Sequence, residues 1–187
     1  KTDNVRQILD VGTGTGLIAL MMAQKSDALV DAIDIDAVAC EQARENVAQS
    51  PWPERGTVIN KSLQEFARTS GKKYDLIVSN PPYFVASSKA SEESRTKARH
   101  TDVLPFTELI DGVMQLLDKD GRFCVILPLK EGELFQELAA ARKLYLNKLV
   151  RIRTTAEKSE KRLLMQFGFA RKTFSETTLI IEKDSLN

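Results

Sequence analysis

Gln7-Ile8-Leu9-Asp10-Val11-Gly12-Thr13-Gly14-Thr15-Gly16 is the stretch on which the fold turns. Its first five residues form a short, mostly apolar run, the pattern of a buried strand. A glycine then stands at every second position, and Leu17-Ile18-Ala19-Leu20-Met21-Met22-Ala23 continues with residues suited to a helix. Strand, glycine-rich turn and helix in that order open a nucleotide-type βαβ unit. Glycines let the backbone turn tightly and approach a ligand closely. The spacing is Gly-x-Gly-x-Gly, with Leu at position 17. It therefore departs from the Gly-x-Gly-x-x-Gly of dinucleotide sites, and no Gly-Lys-Ser/Thr phosphate loop follows.

Downstream, Ala28-Leu29-Val30-Asp31-Ala32-Ile33 reads as a second strand ending at Asp34-Ile35-Asp36. An acid at that strand end is placed to accept hydrogen bonds from both hydroxyls of a ribose. The plainer reading of such an acid is a surface residue or a helix cap. Asp36 suits the cap better, ahead of a helix from Ala37 to about Gln49. A third short strand, Thr57-Val58-Ile59-Asn60, leads to Lys61-Ser62-Leu63 on the same edge. Ser62 and Leu63 are candidates to flank a base there, or simply loop residues.

Tyr74-Asp75-Leu76-Ile77-Val78 is a fourth strand, and Ser79-Asn80-Pro81-Pro82-Tyr83-Phe84 follows it. Two successive prolines fix two φ angles and remove two N–H donors. Each also keeps the residue before it out of the helical region. The product is a stiff corner whose free acceptors are the Asn80 side-chain oxygen and the Pro81 carbonyl. Tyr83 adds a ring. Two acceptors and a ring suit a planar amine: the acceptors take its two N–H protons and the ring stacks on its face. The bland alternative is a proline turn with Tyr83 filling a gap. Beyond it, residues 85–102 read as a polar loop that holds the single histidine, in Lys97-Ala98-Arg99-His100. His100 reads as a surface residue or as a contact to a base or phosphate.

An amphipathic helix is expected over Pro105 to Leu117. Asp118-Lys119-Asp120-Gly121 reads as a turn and Arg122–Leu127 as a fifth strand. Residues 149–153 and 162–167 look like paired strands, and 178–181 like a third. Around them lie Arg151, Arg153, Lys158, Lys161, Arg162, Arg171 and Lys172. They suit a solvated sheet edge or a phosphate-binding rim. A length of 187 residues suggests one domain. The net charge of +1 gives no global pull toward nucleic acid, so such contacts must come from a local patch. Two cysteines, Cys40 and Cys124, are too few for a disulfide framework or a zinc site. A reduced, cytoplasmic setting is the simple reading. No apolar run is long enough to span a membrane.

Asp10-x-Gly12-x-Gly14-x-Gly16, Asp34 and Asn80-Pro81-Pro82-Tyr83 fall at the ends of strands one, two and four. Together they resemble the class I S-adenosylmethionine-dependent amino-methyltransferases. The resemblance implies a doubly wound α/β fold: a mostly parallel seven-stranded sheet with helices on both faces and an antiparallel last strand. It implies S-adenosyl-L-methionine as cofactor, held by Asp10, Gly12, Gly14, Gly16, Asp34, Ser62, Leu63 and Asn80. Related enzymes often carry an acid where this chain has Ser62. Asn80, Pro81 and Tyr83 become the catalytic set, and no metal is needed.

More narrowly, Asn80 to Phe84, the polar loop, Ala98-Arg99-His100, and Leu104 with its helix resemble the bacterial tRNA-valine adenine-N6 methyltransferases. That likeness runs from about Gln7 to Phe167. It implies methylation of N6 of adenine 37 in the anticodon loop, by a cytoplasmic monomer. Pro82, Tyr83, Phe84, Arg99 and His100 would meet the tRNA. Members of that family begin with a further segment, so the expectation is one methyltransferase domain over 1–187 that lacks an N-terminal piece. The alternatives are N5-methylation of a glutamine side chain in a protein such as a release factor, and adenine-N6 methylation of DNA. Asn-Pro-Pro-Tyr alone does not separate them, since a side-chain amide is also a planar nitrogen with two N–H bonds. A nucleotide-binding module or dehydrogenase is the rival from another class.

Overall fold

Among the described residues strands and helices alternate as far as residue 153, and two further strands follow with no helix between them. The computed structural model describes residues 5–81 and 104–182. Pro82, Tyr83, Phe84, Arg99 and His100 lie outside the described residues. The order is β1 (Gln7–Val11), α1 (Leu17–Lys25), β2 (Leu29–Asp34), α2 (Ala37–Ala48), β3 (Gly56–Asn60), α3 (Leu63–Thr69), β4 (Tyr74–Ser79), α4 (Phe106–Leu116), β5 (Leu117–Pro128), α5 (Leu129–Ala141), β6 (Tyr145–Arg153), β7 (Glu160–Gly168) and β8 (Ser175–Ile180).

The strands form one sheet in the order β3-β2-β1-β4-β5-β7-β6-β8. β1 pairs in parallel with β2 on one side and β4 on the other. β7 runs antiparallel to both of its neighbours. The sheet thus has eight strands where seven were expected. The added one is β8, parallel to β6 at the edge. The chain steps outward from β1 through β2 to β3, then returns to place β4 on the far side of β1. That reversal opens a crevice at the C-terminal ends of β1 and β4, where ligands of open α/β sheets bind.

The period-2 alternation of side chains sorts the core into two clusters. Leu9, Val11, Ile77, Phe123, Val125 and Leu127 pack with residues of α3, α4 and α5. Phe135 of α5 anchors that side, with Phe106 at 5.3 Å, Phe167 at 5.6 Å and Phe123 at 6.0 Å between ring centroids. Ile8, Val30, Ala32, Leu76 and Val78 form the other cluster with Ala19 and Ala23 of α1. The expected turn at 118–121 is instead absorbed into β5. The pairing jumps from Tyr74↔Leu117 to Leu76↔Arg122, while Asp118 Oδ1 accepts from the Asp120 N–H at 3.0 Å. The turn chemistry is present, but as an irregularity within a strand. Among the described residues no helix is long and apolar enough to cross a membrane.

Candidate active site

The glycine loop sits between two strand ends because β1 lies between β2 and β4. Gly12, Gly14 and Gly16 all have positive φ, at 71°, 55° and 84°, a region that L side chains enter at a cost. The Gly12 and Thr13 N–H groups donate to the Ile33 carbonyl at 2.9 and 3.0 Å, which ties the loop to the end of β2. A Cβ at Gly12 or Gly14 would meet nothing within 4 Å. The space beside those two positions is therefore open to a ligand. Gly16 differs: a Cβ there would lie 3.2 Å from that of Ala43, so this glycine lets α1 approach α2.

Asp34 is held against the loop. Its Oδ2 accepts from the Gly14 N–H at 2.8 Å and its Oδ1 from the Asp36 N–H at 3.0 Å. Asp36 caps α2, accepting from the Val38 and Ala39 N–H groups, as its position implied. Asp10 is fully buried. Its Oδ2 accepts from the Thr13 hydroxyl at 2.7 Å, while Oδ1 is buried without a hydrogen-bond partner. Burial pushes the Asp10 carboxyl up to about 6; the Thr13 hydroxyl and the Ala19 N–H oppose this, and the Asp34 charge adds to it. An orphaned carboxylate oxygen under an open glycine cradle, beside a second carboxylate, is a set suited to a ligand with a cationic group and a diol.

At the neighbouring strand end, Asn80 is exposed directly after β4 and Pro81 is buried. Asn80 therefore does not point its amide into the core. The Ser79 hydroxyl donates to the Val11 carbonyl at 2.8 Å and joins the two strand ends. Ser62 is the N-cap of α3, accepting from the Glu65 N–H at 3.2 Å. Leu63 is buried in the larger cluster, so its side chain belongs to the core. Ser62-x-x-Glu65 is the capping-box signature that announces α3, a helix the strand-based reading passed over.

Four residues join the site that periodicity alone did not mark: Thr13, Ser79, Asn60 and Ile35. Thr13 and Ser79 act through backbone or buried partners. Asn60 Nδ2 donates to the Asp34 and Ile35 carbonyls at 2.9 and 3.0 Å and so fixes the turn that carries Asp34. Ile35, 45% exposed, offers an apolar surface beside Asp34. The basic residues divide. Arg151 pairs with Glu160 at 2.9 Å and with Glu176, and Arg153 pairs with Glu160 at 3.3 Å. Arg171 lies over the Tyr145 ring at 4.4 Å. Among the described residues no three His, Cys, Asp or Glu side chains group as a metal site.

The family described as "Methyltransferase small domain" matches residues 1–133. The chain is 43% identical over 185 residues to a protein of Parabacteroides distasonis named tRNA1(Val) (adenine(37)-N6)-methyltransferase, covering 97% of this chain and 78% of that one. A protein of the same name from Flavobacterium psychrophilum is 42% identical over 182 residues, with the same coverage of each. Among solved structures, a predicted O-methyltransferase of Agrobacterium tumefaciens superposes with a TM-score of 0.73 at 15% identity, over 97% of this chain and 83% of that one. A methyltransferase from Pyrococcus furiosus gives 0.63 at 19% identity, over 88% and 75%. Those two likenesses establish the class I methyltransferase fold.

Proposed function

Because the chain belongs to the methyltransferase small-domain family, we propose that it transfers a methyl group from S-adenosyl-L-methionine to the exocyclic N6 of adenine 37 in a valine tRNA. The observation that carries this is the juxtaposition of the loop and the corner. Asn80 follows the strand whose last residue is hydrogen-bonded to the root of the glycine loop. Relatives identical to this chain at more than two fifths of the aligned positions carry the tRNA adenine name. That favours RNA over the protein-glutamine and DNA readings. The doubly wound layout, a cytoplasmic location and action as a monomer belong to the same proposal.

The residues present fit the cofactor. Asp10, with its unpartnered oxygen, and the open space at Gly12 and Gly14 would hold the amino-acid part. Asp34 would hold the ribose, and Ile35 with the Ser62–Leu63 backbone would border the adenine. When bound, the cofactor supplies an electrophilic methyl group on a sulfonium. The remaining chemistry belongs to the chain. N6 of adenine is a poor nucleophile because its lone pair is delocalised into the ring. The Asn80 side-chain oxygen and the Pro81 carbonyl accept its two N–H bonds and draw that lone pair back to nitrogen. This is orientation and preorganised electrostatics, with no strong base. Tyr83 and Phe84 would stack on the base after it leaves the helical stack. An anticodon loop, being partly single-stranded, lowers that unstacking cost.

Asn80→Ala tests the proposal. Methyl transfer to tRNA should fall roughly a hundredfold or more, the scale seen when one preorganised polar group is removed. Cofactor affinity, measured by calorimetry, should stay nearly unchanged. Equal turnover by the variant would remove Asn80 from the chemistry. Wild-type transfer to a release factor and not to tRNA would replace the substrate.

A further inference from the structure

Ser79 carries no assigned role, yet its hydroxyl joins the strand that runs into the acceptor corner to the strand that runs into the glycine loop. We infer that Ser79 is a positioning residue for methyl transfer: its hydroxyl sets the acceptor corner at a fixed place relative to the cofactor loop. The inference rests on the tRNA-adenine reading and deepens it.

β4 is otherwise apolar where it crosses the core, through Leu76, Ile77 and Val78. Its last residue, Ser79, is 3% exposed, and burying a hydroxyl without a partner is costly. The cost is offset by the bond to the Val11 carbonyl at 2.8 Å. Val11↔Ser79 is also the final pair of the β1–β4 ladder. Past it the chains part. Val11 runs into Gly12 and the cofactor loop, and Ser79 runs into Asn80 and the acceptor corner. The loop is braced from the β2 side by the Ile33 carbonyl and the Asp34 carboxylate. On the β4 side, among the described residues, the Ser79 hydroxyl supplies a side-chain link to the corner. Bringing an amine and a methyl group into line is a matter of sub-ångström placement, and a misplacement of about 1 Å costs on the order of a hundredfold. A group that joins the two platforms therefore acts on turnover before it acts on either binding step.

The test compares the wild-type chain with Ser79→Ala and Ser79→Thr. It uses steady-state methylation of a tRNA transcript, calorimetric titration with S-adenosylmethionine and thermal melts. Ser79→Ala should lower kcat roughly tenfold or more, with KM for tRNA and Kd for the cofactor within about twofold. Ser79→Thr, which keeps the hydroxyl, should recover most of kcat. Should the alanine chain not fold, Ser79→Cys keeps the size and loses most of the donor strength, and its kcat should fall in the same way. Wild-type kcat in the alanine or cysteine chain overturns the inference. So does a loss of kcat that tracks a loss of cofactor affinity or melting temperature without recovery in the threonine chain. A wild-type chain that methylates no adenine in tRNA overturns the functional reading and this inference with it. An active wild type with an equally active Ser79→Ala chain overturns the inference alone.

Discussion

Asp34 braces the glycine loop before any ligand arrives, because one oxygen accepts from Gly14 and the other from Asp36. Hydrogen bonds to a charged group contribute about 1.5–3 kcal/mol. Asp34→Ala should therefore weaken cofactor binding by roughly tenfold to a hundredfold, through the ribose and through a loosened loop. Asp34→Asn keeps one acceptor and should lose less. An unchanged Kd by calorimetry would take Asp34 out of the site. Asp10 makes a pH prediction. Burial raises its folded pKa from 3.8 to about 6, so the folded state binds more protons than the unfolded state between those values. Its contribution is complete below the unfolded pKa and is lost as pH rises through the folded one. At about 1.4 kcal/mol per pKa unit, the loss is on the order of 3 kcal/mol. Asp10→Asn should gain on the wild type by up to that order near pH 8, and the gain should shrink toward zero near pH 4. Urea melts across that range check it, and a pH-independent difference would show an ordinary carboxylate. Asp10 and Asn80 draw notice in the sequence because each stands within two residues of the glycine turn or the proline pair, and Asp34 because it closes the second strand. Thr13 and Ser79 were not, since their significance lies in a buried carboxylate and a distant carbonyl that no local pattern displays.

At the scale of elements, the entry of α1 depends on Gly16. Its φ of 84° is left-handed, and a Cβ would stand 3.2 Å from the Ala43 Cβ and 3.5 Å from its Cα. Ala43 is fully buried within α2, so the neighbour cannot give way. Gly16→Ala should cost about 1–2 kcal/mol for the backbone and about 1–3 kcal/mol for overpacking. Gly71 supplies the comparison, since its φ is 62° but nothing lies within 4 Å of its Cβ position. Gly71→Ala should show the backbone cost alone, and the gap between the two melting temperatures reads the α1–α2 contact. Equal shifts would mean that α2 moves aside. The same comparison of local and distant causes explains what the pattern displayed. β1 to β4 were legible as short apolar runs and α4 from its amphipathicity, and Ser62-x-x-Glu65 held the signal for α3. β8 was anticipated only over 178–181, because its residues are all exposed and lack the apolar alternation that marks a half-buried strand. The eight-strand count therefore came from the backbone pairing with β6 and not from side-chain pattern.

Over the whole molecule, strand direction decides which cations can meet the substrate. β7 runs antiparallel to β5 with Pro128↔Arg162, and β6 ends at Arg153 opposite Glu160. The 154–159 turn therefore lies on the same edge of the sheet as Asn80. Arg151 and Arg153 are engaged by Glu160 and Glu176 there; those ion pairs draw the Glu160 carboxyl below its ordinary range, Arg151 foremost. Lys158 in that turn and Lys161 just after it, at the start of β7, are exposed cations on this edge. Lys172 belongs to the opposite edge, where its N–H donates to Asn147 at 2.9 Å. Lys119 lies near the start of β5, on that same opposite edge. Each phosphate contact to single-stranded nucleic acid steepens the fall of log affinity with log salt by about 0.7. Lys158→Glu combined with Lys161→Glu should weaken tRNA binding and flatten that dependence by roughly 1.4, with cofactor affinity unchanged. Lys119→Glu combined with Lys172→Glu changes net charge by the same amount at the wrong edge and should leave the slope as it was. Salt titrations by fluorescence anisotropy separate the two pairs. Equal losses from both would mean that tRNA senses only the overall field, and the edge that carries Asn80 would have no privileged place in binding.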